Sequence, residues 1–108
     1  MKVLVVNYRR ELGQDDPDQA ARLHESAERL AGLPGMVWKI WLYDDSRQAA
    51  SSLYMFEDEE HARAWGDGPL RERLESYPGI SDVQTAYYDV DEHLSAITRG
   101  PLAAPQQA

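Results

Sequence analysis

Apolar residues recur along the chain with two periods, one of about two residues and one of about 3.6, and the switches between them mark the elements. Residues 2–8 (KVLVVNY) are β-rich and apolar on both alternating sets until Asn7, the pattern of a buried strand. Asp16 followed by Pro17, with Gln19 three residues after the cap, starts a helix. Its Ala20, Leu23, Ala27, Leu30 and Ala31 are spaced three and four apart, His24 is placed on the same stripe, and Gly32 with Pro34 ends it. Residues 36–43 (MVWKIWLY) and 49–56 (AASSLYMF) predict two strands, joined across the polar turn 44–48 as a hairpin. Asp58 caps a second helix that runs through Ala62 and Trp65 to a break at Gly66-Asp67-Gly68. Pro69 restarts a helical stretch with Leu70, Leu74 and Tyr77 at i, i+4 and i+7, and Pro78-Gly79 stops it. Residues 80–90 predict a fourth strand and residues 92–98 a short helical turn. A single domain is expected over 1–99, with residues 100–108 a flexible tail.

The order βαββαβ predicts an α+β fold, the ferredoxin-like sandwich with both helices on one face of a four-stranded antiparallel sheet. In the second strand one alternating set is Met36, Trp38, Ile40 and Leu42, and the other is Val37, Lys39, Trp41 and Tyr43. The first strand sets Val3 and Val5 against Leu4 and Val6. Both faces are therefore largely apolar, while two helices cover only one. A second copy of the sheet is the economical cover, which predicts a homodimer.

Composition removes several function classes. The 108 residues include no cysteine, so disulfides, thiolate metal sites and a cysteine nucleophile are excluded. Acidic residues outnumber basic ones 19 to 11, and a net charge of −8 opposes the phosphate contacts that dominate nucleic-acid binding. The longest aliphatic run, residues 3–6, is far too short for a membrane span, and a cytoplasmic protein without nucleic-acid or membrane partners is expected. No GxGxxG, Walker loop, HExxH or paired ligand motif occurs, so neither a metal nor an organic cofactor is expected.

Three segments carry a resemblance: PGMVWKIW at 34–41, LYMF at 53–56 and YDVDEHLSAI at 88–97. With their WK-x-W and DV-x-E-x-LS-x-I patterns, they resemble the YdhR-like monooxygenase family of the dimeric α+β barrel superfamily, which also holds the antibiotic-biosynthesis monooxygenases. The resemblance extends from the first strand to about Leu102. It implies the same fold, a homodimer, and an apolar pocket that takes a small hydrophobic or aromatic substrate together with dioxygen. One departure is visible: Ser51 and Ser52 stand where the family usually has a glycine pair.

A wider resemblance implies a site. Asn7 with Ala64-Trp65-Gly66-Asp67-Gly68-Pro69 is similar to the strand-Asn and helix-Trp pairing of cofactor-independent and haem-degrading oxygenases in that superfamily. In the haem-degrading members a histidine follows the Trp by about two and a half turns. Arg73, Leu74 and Glu75 occupy that neighbourhood here, so no iron ligand is implied. That resemblance implies Asn7 holding a substrate oxygen and Trp65 against the substrate ring, and His24, whose imidazole titrates near neutrality, completes the candidate catalytic set as general base. Trp38, Trp41, Tyr54, Ser52 and Tyr87 are the substrate-binding candidates.

Each has a plainer alternative. Asn7 also suits a strand end bonding local backbone, His24 a core imidazole, and the aromatics ordinary core and dimer packing. Lys39 reads as a snorkelling lysine or one ion-paired across a dimer. The reaction implied is cofactor-independent oxygenation of an anthrone-like aromatic. A cyclase or isomerase using the same pocket, and a non-catalytic binder of hydrophobic molecules, are the alternatives.

Overall fold

The computed structural model describes residues 1–102. The expected tail therefore lies largely outside the described residues. Within them the chain runs β1 (Lys2–Arg10), α1 (Pro17–Leu30), β2 (Met36–Asp44), a 3-10 turn (Asp45–Arg47), β3 (Ala49–Phe56), α2 (Glu59–Gly66), α3 (Leu70–Glu75), β4 (Ile80–Asp89) and α4 (Glu92–Ile97). The strands form one antiparallel sheet in the order β2-β3-β1-β4. This is the ferredoxin-like α+β arrangement the βαββαβ pattern predicts.

Local chemistry accounts for the boundaries. The Asp16 carboxylate accepts from the Gln19 N–H and Pro17 occupies the first turn of α1, while Asp58 and Asp91 cap α2 and α4 through the His61 and Leu94 N–H groups. Gly66 closes α2 where a Cβ would land on the Tyr87 hydroxyl. The bulge between Met36 and Trp38 returns β2 to register, so Met36 stands opposite Phe56 while Trp38 stands opposite Met55.

From there the alternation is strict. Leu4, Val6 and Tyr8 of β1 face α2 and α3 and form the core with Tyr54, Phe56, Ala62, Trp65, Leu70 and Val83. The other face carries Val3, Val5 and Asn7 of β1 with Trp38, Ile40 and Leu42 of β2, and Ile40, Leu42 and Tyr88 are 42%, 43% and 58% exposed. The second apolar face expected from the strands is thus present, and among the described residues it is covered at Met55 but open at Ile40 and Leu42. None of the helices among the described residues is long and apolar enough to cross a membrane.

Helix α1 packs differently from α2. Gln19 is its only fully buried residue among those described, while Leu23 and Leu30 are half-buried. The space between α1, α3 and the sheet is left as a cavity.

Candidate functional site

Sheet register assembles the floor of that cavity. Lys39 pairs with Tyr54, which pairs with Leu4; one row along, Trp41 pairs with Ser52, which pairs with Val6. Because side chains on one face recur every second residue, Lys39, Trp41, Ser52, Tyr54, Val6 and Tyr8 all project toward the helices. Leu23, Ser26, Arg29 and Leu30 of α1 close one side, Trp65 and Leu70 the other, and Arg73 and Leu74 of α3 with Ser76 and Tyr77 the end. The enclosed volume is about 160 Å³.

Lys39 is the unusual group. Its Nζ lies 3.3 Å from the centroid of the Trp41 ring and 4.6 Å from that of Tyr54, and no carboxylate pairs with it among the described residues. Burial, with no opposing charge, pulls its ammonium down to about 7. An amine that is substantially neutral at physiological pH can accept a proton. Burial also pushes the Tyr54 phenol up to about 12. Tyr8 is driven far up by burial too, so both phenols stay protonated and act as hydroxyl groups.

Trp65 is 7% exposed, its ring is tilted 53° to Tyr54 at 6.3 Å, and its indole N–H makes no hydrogen bond of ordinary geometry. A buried donor without an acceptor is costly, and an oxygen on a ligand would satisfy it. The site thus combines one amine, two guanidinium groups, an unpartnered indole N–H and six serine and tyrosine hydroxyls within aromatic and aliphatic walls.

The expected constellation separates. Trp65, Trp41, Tyr54 and Ser52 come together around the cavity. Asn7 does not: with Val6 and Tyr8 turned inward, position 7 faces outward, and the Ser51 hydroxyl donates to its side-chain carbonyl. The two serines of the departed glycine pair therefore serve opposite faces, Ser52 in the cavity and Ser51 outside.

His24 is a second correction, since it does not lie on a buried stripe. One residue past Leu23 is a turn of about 100° around the helix axis, which leaves His24 with its side chain 77% exposed and its Nε2 2.8 Å from the Glu28 carboxylate. It borders a separate, more open cavity of about 360 Å³ that shares only the walls Leu23 and Trp41 with the first.

Trp38 also lies on the outer face, where its N–H donates to the Pro101 carbonyl at 2.8 Å. Tyr87 faces the helices but is engaged elsewhere. Its hydroxyl donates to Asp67 at 2.7 Å, and burial and that carboxylate together push its phenol far up. Asn7, His24 and Trp65 consequently do not surround one cavity.

Lys39 is the residue that sequence reasoning passed over as a snorkelling or ion-paired lysine. The available signal was its parity: it alternates with Trp41 and Tyr43 on the helix-facing set, where a cation without a partner is anomalous. No histidine, cysteine or methionine lines the cavity, and burial holds Tyr8 and Tyr54 protonated, so these residues do not fit the usual axial ligands of a haem. Among the described residues no group of three or more His, Cys, Asp or Glu is placed to hold a metal ion.

A family model described as "Putative mono-oxygenase ydhR" matches residues 3–101. No curated protein sequence matches the chain. Among solved structures, the heme-degrader MhuD from Mycobacterium tuberculosis is 17% identical, with a TM-score of 0.58 over 82% of this chain and 95% of that one. A dimeric ferredoxin-like protein of unknown function from Thermobifida fusca is 18% identical, with a TM-score of 0.57 over 83% and 92%. SnoaB, a cofactor-independent oxygenase from Streptomyces nogalater, is 16% identical, with a TM-score of 0.56 over 82% and 92%. At these identities the likeness is one of fold.

Proposed function

The chain belongs to the YdhR mono-oxygenase family, and on that premise we propose that its cavity oxygenates an aromatic small molecule without metal, flavin or haem, with Lys39 rather than His24 accepting the proton. The observation that carries this reading is the unpaired Lys39 amine against Trp41 and Tyr54, in a cavity closed by Trp65. Neutral Lys39 removes a proton from an acidic C–H or phenol of the bound ring. The resulting anion passes an electron to dioxygen, the radical pair combines, and the peroxide collapses. For an anthrone methylene, CH2 and O2 become C=O and H2O, so all four electrons come from the substrate and both hydrogens leave as water. Trp41, Tyr54 and Trp65 hold the ring, Ser52 and the Trp65 N–H offer hydrogen bonds to its oxygens, and the apolar walls keep bulk water from the anion. Asn7, His24 and Trp38 carry no chemistry in this scheme.

The protein works as a homodimer, paired through the uncovered sheet face of Val5, Ile40, Leu42 and Tyr88. The description of the Thermobifida fusca neighbour as dimeric supports this assembly, and that of SnoaB as cofactor-independent supports the chemistry.

The test is dioxygen uptake with anthrone, followed alongside quinone formation. One O2 consumed per quinone, above the spontaneous rate and lost in Lys39→Arg, is the expected result. Proton exchange or ring closure without O2 uptake would replace this reading by a cyclase or isomerase, and saturable binding with no turnover would leave a ligand-binding protein.

A further inference from the structure

Three basic residues, Arg29, Lys39 and Arg73, line the cavity, and no Asp or Glu does. In a chain whose acids outnumber its bases 19 to 11, that is a local inversion of the protein's charge. Of the other Lys and Arg side chains, Lys2 meets Glu59 and Asp89, Arg10 meets Asp45, Arg47 meets Asp44, Arg63 meets Glu59 and Asp67, and Arg71 meets Glu75, while Arg9, Arg22 and Arg99 make no ion pair among the described residues and do not line this cavity. Arg29, Lys39 and Arg73 make no ion pair among the described residues. Arg29 and Arg73 approach from two elements, each in the last turn of its helix, where the C-terminal dipole favours a cation even without a carboxylate. Both are exposed while lining the cavity, so they stand where it opens, whereas Lys39 is half-buried on the sheet.

We infer that the cavity takes an aromatic anion, with a carboxylate held by Arg29 and Arg73 at the opening and an ionisable hydroxyl or enol of the same ring system placed at Lys39. This rests on the proposed function for the role of Lys39, and it names the substrate class of that site. Guanidinium groups suit the rim because they stay charged and bind a carboxylate through paired N–H donors. An amine suits the interior because it can exchange a proton. The acidic remainder of the surface repels anions generally, so the rim is the point at which an anionic ligand is drawn in.

Two probes separate the arms: a hydroxynaphthoate with hydroxyl and carboxylate at opposite ends of the ring system, and the matching neutral carboxamide, both measured by calorimetry. The carboxylate should bind the wild-type protein about tenfold or more tightly than the carboxamide, the scale of a charge-assisted pair. Arg29→Gln and Arg73→Gln should each reduce that preference. The double variant should erase it while leaving carboxamide affinity within about twofold, and added salt should weaken only the carboxylate. Equal affinity for the two probes, binding of neither, or a preference that survives in the double variant would overturn the inference. Oxygen uptake is read separately on anthrone. A carboxylate preference without uptake would sink the oxygenase reading and leave the anion site standing, and uptake without the preference would do the reverse.

Discussion

On β1, Val6 and Tyr8 look toward the helices while Val5 and Asn7 look away, and the same alternation runs through Lys39 and Ile40 on β2 and through Ser52 and Leu53 on β3. The inward face is interrupted by polar groups: an amine, hydroxyls and an unpartnered indole N–H, packed among aromatic rings around about 160 Å³ of space. The outward face buries Met55 and ties Trp38 to Pro101, yet among the described residues it leaves Ile40 and Leu42 substantially exposed. Hydrophobicity alone would assign these faces the wrong way round. The face with the lysine is the enclosed one, and the face with Ile40 and Leu42 is open. A soluble monomer has little reason to keep such a patch, and an enclosed cation has little reason to persist unless it is used.

The largest expected effect breaks the outer face. In a twofold interface Ile40→Asp enters twice, at a cost of about 4 kcal/mol in total, so the dimer constant should weaken roughly a thousandfold. Sedimentation at micromolar concentration should then show a species near 12.3 kDa where the wild type sediments near twice that mass. A wild-type monomer would refute the assembly.

Next is the inner face. Lys39→Arg keeps a cation that cannot deprotonate near neutrality, and should lower turnover about 100-fold while leaving the dimer intact. Lys39→Met should lower it as much and also raise the melting temperature at pH 7, because an uncompensated buried charge is removed. A Lys39→Arg protein of normal rate would show that the amine is not the base.

The pH dependence sharpens the same point. With the folded Lys39 at about 7, turnover should rise about tenfold per pH unit below that value and level off above it. Stability has its own sign. Between about 7 and about 10 the unfolded chain holds a proton on this lysine that the folded chain lacks, so stability rises with pH across that window. Lys39→Met should remove this rise in pH-dependent melting.

The smallest effects are expected where the sequence had placed the chemistry. Asn7→Ala and His24→Gln should change turnover by less than about twofold, since both side chains are outside the cavity, and His24→Gln loses only an exposed pair. Trp65→Phe should lower it by about tenfold, because it removes a hydrogen-bond donor that has no other partner. A hundredfold loss in His24→Gln would restore the histidine base and overturn the division of roles between the faces.

Periodicity, caps and turn residues were enough to read the βαββαβ order and the second apolar sheet face, and the WK-x-W and DV-x-E-x-LS-x-I segments carried the family resemblance, since all of these depend on neighbours along the chain. Trp41, Ser52, Tyr54 and Trp65 were named from the sequence as well, but together with Trp38, Tyr87, Asn7 and His24, from which the fold separates them. What tertiary structure alone decided was which way the ambiguous positions turn. A strand apolar on both sets does not say which set meets the helices. That choice put Lys39 inside and Asn7 and Trp38 outside, and the Met36–Trp38 bulge fixed the parity of β2. Along α1 a step of about 100° per residue separates half-buried Leu23 from exposed His24, so a stripe drawn one residue too wide misplaces the base. The value of about 7 for Lys39 is likewise not a property of lysine or of its neighbours in sequence: it arises from the burial of the amine among Trp41, Tyr54 and the helices in the folded chain, which no local pattern contains.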